Sequence, residues 1–281
     1  DGAGFPSKQG MIGDSTRLNR RRFLGGMSGV AIAGCLMGDA RGDTLEHDGA
    51  SFVVYRLDPK AERLELFLLR QDAQRSPTFA QLERDLNAQG KRLKLAMNAG
   101  IYEPGFRPAG LHVSEGKTLV ELNTAGPPPK AAPSDPTPNF YLLPNGVFFI
   151  RQDGSAGVLA TQFFANAGES PRLATQSGPL LLANGKIHPA FREGSANRLL
   201  RNGIGVDSKG RVVLVSSVRP PGQGRINFFS FSTLFRDRLD CRDALYLDGD
   251  ISRLYVRGET DAEAPRSNFF AGVLAVVESA R

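Results

Sequence analysis

Four segments of the chain end an apolar run with polar side chains that can bind or transform a ligand. They read NAGIY at residues 98–102, QSGP at 176–179, RNGIG at 201–205 and LDGDIS at 247–252. Each one alone is as typical of a turn as of a site, because Asn, Asp, Ser and Gly also form turns. Functional residues tend to collect where strand ends and loops meet. The four together predict one cleft lined by amides, hydroxyls, carboxylates and one guanidinium.

Common catalytic and cofactor signatures are absent from the sequence. It has no phosphate-binding loop, no dinucleotide fingerprint after a strand, no metal-spaced cysteine pair and no nucleophile elbow. The histidines, His47, His112 and His188, are far apart and have no obvious Ser or Asp partner, so strand, turn or linker positions are favoured over catalysis. Cys241 has no thiol or histidine near it and is interpreted as a small buried residue.

In this order, the four segments resemble the phosphodiester glycosidase family, and the match is closest to its bacterial branch. The likeness extends in order and spacing from about Ala50 to the C-terminus. Two positions differ from the usual pattern: Ala99 stands where a second Gly is common, and Asp250-Ile251 replaces part of a Gly-rich run. The resemblance implies a hydrolase that cleaves a glycosyl phosphodiester, that is, a sugar 1-phosphodiester.

Such a substrate needs two things from the site. The phosphate needs a cation with fixed donors, which Arg201 can supply as a bidentate fork. The anomeric carbon needs a carboxylate that stabilises or traps its developing positive charge; Asp248 is the first candidate and Asp250 the second. Phosphate is already an acidic leaving group, so a site without an obvious histidine fits this reaction. The residues assigned to substrate binding are Asn98, Tyr102, Gln176, Ser177, Asn202 and Ser252.

Three alternatives stay open at this stage. Arg201 could form an ion pair with Asp248 or Asp250 that merely holds two strands together. The cleft could belong to a non-catalytic envelope module that binds a sugar or a phosphodiester polymer. A metal-dependent phosphodiesterase could use the two aspartates as ligands, but one carboxylate pair without histidine is a weak metal signal. We assign no metal ligand and no cofactor, and a divalent metal stays open as an alternative.

The charge of the chain argues against a nucleic-acid partner. Lys plus Arg number 35 and Asp plus Glu number 29, a net charge of +6. Residues 1–34 hold five of the basic and two of the acidic residues, so the rest of the chain carries only +3. No basic stripe of the size of a binding face remains there. The expected partner is a carbohydrate phosphodiester.

The N-terminal segment has the order of an export signal. A basic run at residues 19–24 precedes an uncharged, Gly- and Ala-rich run at 25–38, which is too short for a bilayer span of about 20 residues. Arg20-Arg21-Arg22-Phe23-Leu24 resembles a twin-arginine signal, and Ile32-Ala33-Gly34-Cys35 resembles a lipobox. We expect residues 1–49 to be signal and linker, the protein to be periplasmic or in the cell envelope, and Cys35 to be a lipid anchor. The alternative is an exposed basic tail.

From residue 50 onward, extended runs alternate with turn signals. This predicts one α+β domain over residues 50–281, with a large mixed or antiparallel sheet and few helices. Apolar residues at helical spacing predict helices over 78–89 and 230–239, the first with Ser76 or Thr78 as its cap and Gly90 as its stop. Asn-Gly or Lys-Gly turns predict hairpins over residues 140–150, 180–187 and 204–216.

Other elements follow from similar patterns. Residues 51–57 and 63–70 are expected to pair across the Asp-Pro-Lys turn between them, and a buried strand is expected over 93–97. Residues 126–138 carry six prolines and are predicted to form an irregular surface loop, a candidate lid. A strand-rich C-terminal part is expected from residue 244 onward.

Overall fold

A computed structural model describes residues 42–69, 78–218, 224–249, 251–258 and 269–280. In the described ranges, every strand pairing is antiparallel and helices are few, which confirms the predicted α+β class. The strands are β1 (Asp43–His47), β2 (Ala50–Leu57), β3 (Leu64–Leu68), β4 (Lys91–Asn98), β5 (Tyr102–Glu103), β6 (Arg107–Pro108), β7 (His112–Ser114), β8 (Lys117–Val120), β9 (Gly146–Ile150), β10 (Ala156–Ala160), β11 (Leu173–Ser177), β12 (Leu180–Ala183), β13 (Lys186–Ile187), β14 (Asn202–Asp207), β15 (Val212–Ser217), β16 (Cys241–Asp248), β17 (Leu254–Val256) and β18 (Gly272–Ser279). The helices are α1 (Phe79–Asn87), α2 (Thr161–Asn166) and α3 (Phe228–Thr233), with a 3-10 turn at Asn139–Tyr141 and a π-helical turn at Leu234–Arg238.

The strands form three main sheets rather than one. The seven-stranded sheet has the order β1-β2-β15-β14-β16-β12-β13, the five-stranded sheet β10-β9-β11-β7-β8, and the four-stranded sheet β17-β4-β18-β3. Strands β5 and β6 form a separate ribbon. The α1 helix packs on β4, in the four-stranded sheet.

One face of each main sheet contributes to a shared core. Leu245 of the seven-stranded sheet, Phe148 of the five-stranded sheet and Met97 of the four-stranded sheet belong to the same buried cluster. The opposite face of each sheet is covered by one helix: α3 on the seven-stranded, α2 on the five-stranded and α1 on the four-stranded sheet. Because each main sheet is covered on both faces, most of its strands are nearly continuous runs of apolar residues.

Several local predictions are confirmed. Thr78 accepts a hydrogen bond from the Gln81 N–H at 3.2 Å and caps α1, and Gly90 follows the helix with φ of +69°. Strand β4 lies where the buried strand was predicted. The Asn184-Gly185 turn joins β12 to β13, and both residues have positive φ, 49° and 76°, as a tight hairpin turn requires.

Two predicted strand pairings are wrong. Residues 51–57 and 63–70 do not pair: β2 lies between β1 and β15, and β3 pairs with β18 in another sheet. The chain between them forms a helical turn, in which the Asp58 carbonyl accepts from the N–H groups of Ala61 and Glu62 at 3.0 and 2.8 Å. This turn redirects the chain instead of folding it back on itself.

The predicted hairpin over residues 140–150 is also wrong. The first half forms the 3-10 turn and the second half forms β9. Asn145 is buried, and its side chain donates to the Phe140 carbonyl at 2.9 Å and accepts from the Thr161 hydroxyl at 2.7 Å. It therefore anchors a loop instead of adopting the positive φ of a hairpin turn.

Ordered structure begins before the predicted boundary at Ala50. Strand β1 pairs with β2 along its whole length, from Asp43 opposite Val54 to His47 opposite Ala50. The His47 ring nitrogen Nε2 lies 3.0 Å from the Thr233 hydroxyl of α3. Residues 43–47 thus belong to the folded unit and not to a linker. The predicted export signal, with Arg20, Arg21 and Cys35, lies outside the described residues.

Candidate active site

Three strand ends meet around the side chain of Asn98. Asn98 closes β4 in the four-stranded sheet, and Asn202 opens β14 in the seven-stranded sheet. The Asn202 Nδ2 donates to the Asn98 Oδ1 at 2.9 Å and to the Asn98 carbonyl at 3.0 Å. The backbone N–H of Arg253, next to β17, donates to the same Oδ1 at 2.9 Å. These bonds join two sheets at a place where the sequence predicts a site.

Asp248 lies beside this junction. It ends β16, and its backbone is paired with that of Asn202 across the ladder of β14 and β16. Its Oδ1 accepts a hydrogen bond from the Gly249 N–H at 2.7 Å, which orients the carboxyl group. The Ser252 hydroxyl lies within hydrogen-bond distance of two carbonyls, that of Gly249, which is closer, and that of Asp248 at 3.1 Å, and Ser252 is 2% exposed. Ser252 therefore closes the turn after β16, and we reassign it from substrate binding to the positioning of Asp248.

Two tyrosines flank Asp248. Tyr246 lies two residues earlier on β16, across a register shift in the pairing of β14 with β16. Tyr102 stacks on Phe106 with ring centres 5.6 Å apart and donates its hydroxyl to the Phe269 carbonyl at 3.1 Å. Burial raises the pKa of both tyrosines, and the negative charge of Asp248 raises it further. Both phenols are therefore protonated at neutral pH beside a carboxylate.

Polar side chains from two other parts of the chain lie near the Tyr246 hydroxyl. Arg201 and Asn139 both act to lower its pKa, against the effect of burial, and Asn139 follows the proline-rich loop. A Cβ atom built on Gly249 would lie only 2.9 Å from this hydroxyl. Gly249 is thus required for the turn after β16 to pass over Tyr246. Sequence reasoning missed Tyr246, although its spacing of two residues from Asp248 on a strand was a usable signal.

The structure places Arg201 inside the core behind the site. Its side chain is 0% exposed and stacks over the ring of Phe228. The Nε donates to the Ile226 carbonyl at 2.8 Å, and Nη2 donates to the Asn197 carbonyl at 3.2 Å. These bonds use two of the guanidinium donors on backbone carbonyls, which removes them from a bidentate grip on phosphate. The guanidinium carbon lies 5.6 Å from the centre of the Tyr246 ring.

Gln176 also has a positioning role in the structure. Its Oε1 accepts from the N–H groups of Leu111 and Asn123, at 3.0 and 2.9 Å. Its Nε2 donates to the Asn123 carbonyl at 2.7 Å and to the Thr161 hydroxyl at 3.1 Å. These four bonds use the whole hydrogen-bonding capacity of a side-chain amide. We therefore reassign Gln176 from substrate binding to holding the loops beside the site.

Ser177 ties the segment of Asn98 to that of Asp248. Its hydroxyl donates to the Leu247 carbonyl at 3.0 Å and accepts from the Ile101 N–H at 3.2 Å, and it is 0% exposed. Gly100 lies in the same packing arrangement, because a Cβ built on it would be 2.4 Å from the Gln176 carbonyl. Gly100 therefore allows the Gln176 carbonyl to approach the backbone closely.

The remaining candidates divide into buried and undescribed residues. Asp250 lies outside the described residues. His112 is 1% exposed in β7, and burial lowers its pKa to about 4, so the ring is neutral at neutral pH. Cys241 is buried, as predicted, and burial raises its pKa. Among the described residues, no group of three or more His, Cys, Asp or Glu side chains is arranged to hold a metal ion, and no helix is long and apolar enough to cross a membrane.

Comparison with known proteins identifies a matching family and a bacterial relative. The family model described as phosphodiester glycosidase matches residues 91–274. The uncharacterized protein YigE of Escherichia coli (strain K12) is 32% identical over 204 residues, which cover 73% of this chain and 74% of that protein. The matched residues include the segments of Asn98, Arg201 and Asp248.

Two solved structures share the fold. The catalytic domain of zebrafish N-acetylglucosamine-1-phosphodiester alpha-N-acetylglucosaminidase, auto-inhibited by its pro-peptide, superimposes with a TM-score of 0.57 at 14% identity, covering 84% of this chain and 81% of that one. A hypothetical protein from Synechocystis superimposes with a TM-score of 0.50 at 17% identity, covering 84% of this chain and 61% of that one. The family match and the bacterial relative show that the chain belongs to the phosphodiester glycosidase family.

Proposed function

We propose that the protein hydrolyses a glycosyl phosphodiester in the cell envelope, with Asp248 acting at the anomeric carbon. The observation that carries this proposal is the position of Asp248, which lies at the junction of β4, β14 and β16 and is flanked by two protonated tyrosines. Family membership supports the reaction class. The substrate class follows from what the family is known to cleave and from the name of the zebrafish enzyme, and the sugar is left open.

The reaction breaks the bond between the anomeric carbon and the phosphate oxygen. Positive charge develops at the anomeric carbon, and a nearby carboxylate can stabilise or trap it. The Gly249 N–H bond keeps the Asp248 carboxyl group oriented for this task. The departing phosphate monoester keeps the bonding electrons and needs little help from an acid. Water finally supplies the oxygen that remains on the sugar.

The roles of the other residues follow from their contacts. Arg201 and Asn139 lie near the Tyr246 hydroxyl, and the Ser252 hydroxyl contacts the backbone of the turn that carries Asp248. Tyr102 stays a substrate-contact candidate because it is half-buried and adjoins Asp248. We further propose that the twin-arginine motif and Cys35 deliver the protein to the periplasm and anchor it there, where an envelope polymer would supply the substrate.

The product pattern tests the reaction. The full-length protein is incubated with α-D-glucopyranosyl 4-nitrophenyl phosphate in ¹⁸O-water, and products are identified by mass spectrometry. A glycosidase gives ¹⁸O-labelled glucose and 4-nitrophenyl phosphate. A phosphodiesterase gives glucose 1-phosphate and 4-nitrophenol instead. A panel of other sugars covers the open specificity, and the phosphodiesterase pattern would refute the proposal.

Two further controls address the alternatives. A parallel incubation with a chelator, followed by re-addition of a divalent ion, tests metal dependence. Loss of cleavage with the chelator and recovery with the ion would favour the metal-dependent phosphodiesterase. Binding of the panel by isothermal titration calorimetry without any cleavage would favour the non-catalytic envelope module.

A further inference from the structure

The hydrogen bonds around Asn98 fix the orientation of its side-chain amide. The backbone N–H of Arg253 lies 2.9 Å from one of the two terminal atoms. Because a backbone N–H only donates, the atom that faces it must be the amide oxygen, Oδ1. The nitrogen, Nδ2, is therefore the atom on the opposite side of the amide.

The orientation of Asn202 follows from the same reasoning. One end of its amide faces two oxygen atoms of Asn98, the side-chain Oδ1 at 2.9 Å and the backbone carbonyl at 3.0 Å. Both oxygens accept, so the facing atom must be the nitrogen of Asn202. Its Oδ1 consequently lies on the side away from these two oxygens.

One polar atom on each of these two bonded side chains is thereby left over. The Asn98 Nδ2 and the Asn202 Oδ1 are buried and have no hydrogen-bond partner within the described part of the protein. The two residues are 2% and 0% exposed. Buried donors and acceptors almost always have a partner, because an unsatisfied one carries a desolvation penalty. The pair therefore offers one donor and one acceptor to a group that is not part of the chain.

This polarity distinguishes between the two halves of a glycosyl phosphodiester. The outer oxygens of a phosphate diester only accept hydrogen bonds, so one of them would face the Asn202 Oδ1 without a proton between the two atoms. A sugar hydroxyl both accepts and donates, and an acetamido group offers a carbonyl and an N–H. Either group can accept from Asn98 and donate to Asn202 at the same time.

We propose that the Asn98–Asn202 pair binds the glycosyl half of the substrate through one hydroxyl or acetamido group, and that the phosphate is held elsewhere. This inference rests on the proposed function, since it takes a glycosyl phosphodiester as the substrate. It adds the assignment of the two amides to one half of that substrate. It also makes the pair a specificity determinant, because sites built to hydrogen-bond a substrate group strongly reject analogues that lack it.

Substrate analogues test the proposal on the unaltered protein. Cleavage is measured for α-D-glucopyranosyl 4-nitrophenyl phosphate, its four monodeoxy analogues and its 2-acetamido-2-deoxy derivative. We expect one position at which removal of the polar group lowers kcat/KM by about 100-fold or more. A fluorine at that position should be nearly as poor as hydrogen, because it cannot donate to Asn202. Comparison of the 2-acetamido, 2-hydroxy and 2-deoxy compounds separates the acetamido group from a hydroxyl.

A variant then links the sensitive position to Asn98. Asn98→Asp keeps an oxygen at the Oδ1 position, so the internal bonds from Asn202 and Arg253 can persist, and it removes the outward donor. In this variant, kcat/KM for the analogue that lacks the polar group should be within about threefold of kcat/KM for the parent substrate. This is expected when two coupled partners are removed together. The exposed Asn166→Asp is the matched control and should keep the discrimination of the wild type. Circular dichroism checks that each variant is folded, and the fluoro analogue keeps the proposal testable if Asn98→Asp does not fold.

Two outcomes of the cleavage assay would overturn the inference. In the first, no monodeoxy analogue shows a large loss of kcat/KM, or the loss is the same in folded Asn98→Asp as in the wild type. The other is a coupling of Asn98 to the phosphate, seen if the variant alters the preference between the phosphate and its methylphosphonate analogue but leaves the deoxy penalties as they were.

A binding assay separates this inference from the proposed reaction. Binding of methyl α-D-glucopyranoside and methyl 2-acetamido-2-deoxy-α-D-glucopyranoside is followed by saturation-transfer NMR. One outcome is that no phosphodiester is cleaved, a glycoside binds, and Asn98→Asp abolishes this binding. It would refute the proposed hydrolysis and support the assignment of the Asn98–Asn202 pair to the glycosyl half. If neither cleavage nor glycoside binding is found, the inference is wrong as well.

Discussion

The guanidinium carbon of Arg201 lies 3.6 Å from the centre of the Phe228 ring, inside a column of stacked side chains. Phe228 stacks on Phe191 at 4.8 Å, and Phe191 stacks on His188 at 4.7 Å. At the other end of the column, the guanidinium carbon of Arg201 lies 5.6 Å from the centre of the Tyr246 ring. The column connects the loop after β13 with the strand that carries Asp248. Stacking over a ring together with carbonyl hydrogen bonds is a task for the planar guanidinium group.

We therefore expect Arg201→Lys to destabilise the protein even though it keeps the charge. A lysine ammonium cannot stack and donate to both carbonyls at once, so part of a buried charge is left unsatisfied. The free energy of unfolding, measured with urea, should fall by about 2 to 4 kcal/mol. The matched control is Arg198→Lys, at a partly exposed arginine bonded to Asp48, and it should change the value by less than about 0.5 kcal/mol. If Arg201→Lys kept full stability and lost only substrate affinity, the direct grip on phosphate would be favoured instead.

Asp248→Asn should reduce kcat by at least about 100-fold while the fold is retained, because it removes the charge that stabilises the transition state. The carboxamide keeps an oxygen that can accept from the Gly249 N–H, so the turn should persist. Asp243→Asn on the same strand is the control, since that carboxylate accepts from the Asn184 backbone and lies away from the site. Initial rates at saturating substrate measure the effect. Equal losses in both variants would mean that the change acts through the strand and not through the chemistry.

Tyr246→Phe should lower activity more than stability. The ring and its packing remain, whereas the buried hydroxyl that lies near Arg201, Asn139 and Asp248 is lost. We expect kcat/KM to fall about 10- to 100-fold and the free energy of unfolding to fall by about 1 kcal/mol, which is a typical net value for one buried hydrogen bond. Tyr55→Phe removes a hydroxyl that donates to Glu62 at 3.2 Å, and it should leave kcat/KM unchanged. A Tyr246→Phe enzyme with wild-type kinetics would remove this tyrosine from the site.

Local chemistry made part of this structure predictable. The cap of α1 and the Asn184-Gly185 hairpin depend on a few adjacent residues, and both follow from the sequence alone. The Asn145-Gly146 pair has the same turn chemistry, but the side chain of Asn145 bonds to Phe140 and Thr161 and overrides it. Which local preference is realised thus depends on partners that are distant in sequence.

In the candidate site, too, some features could be predicted from the sequence and others could not. Asn98, Asn202 and Asp248 stand out in the sequence because each ends or begins an apolar strand, and the structure brings them together. The sequence did not predict that the Gln176 amide hydrogen-bonds to backbone groups or that Arg201 stacks on an aromatic ring. Both facts depend on loop packing and strand pairing between remote segments, for which a single sequence carries no local signal.

Replacing both Arg20 and Arg21 by Lys should leave the protein inside the cell, because the twin-arginine pair is the feature that the export route reads. Cell fractionation and immunoblotting measure the distribution. Cys35→Ala should release the protein from the membrane into the periplasm, since a short apolar run alone anchors poorly. Export of the double Lys protein would contradict the route, and membrane retention of Cys35→Ala would contradict the lipid anchor.

His112 should make the stability of the protein pH-dependent below neutrality. Burial lowers its pKa from the ordinary value of 6.5 to about 4, and its Nε2 has no hydrogen-bond partner in the described part of the chain. Between these two values the unfolded chain binds a proton that the folded protein does not, so the free energy of unfolding falls as the pH falls through 6.5 and levels off below about 4. The full contribution is about 2 to 4 kcal/mol.

His112→Leu removes this titrating group and replaces it with an apolar side chain. Urea unfolding at intervals from pH 4 to 8.5 should then show a shallower loss of stability below pH 6.5 than in the wild type. Above about pH 7.5, His112 is neutral in both states, so the two curves should run parallel there, which serves as the internal control. Parallel curves down to pH 4 would show that the histidine titrates normally in the folded protein and is not enclosed as described.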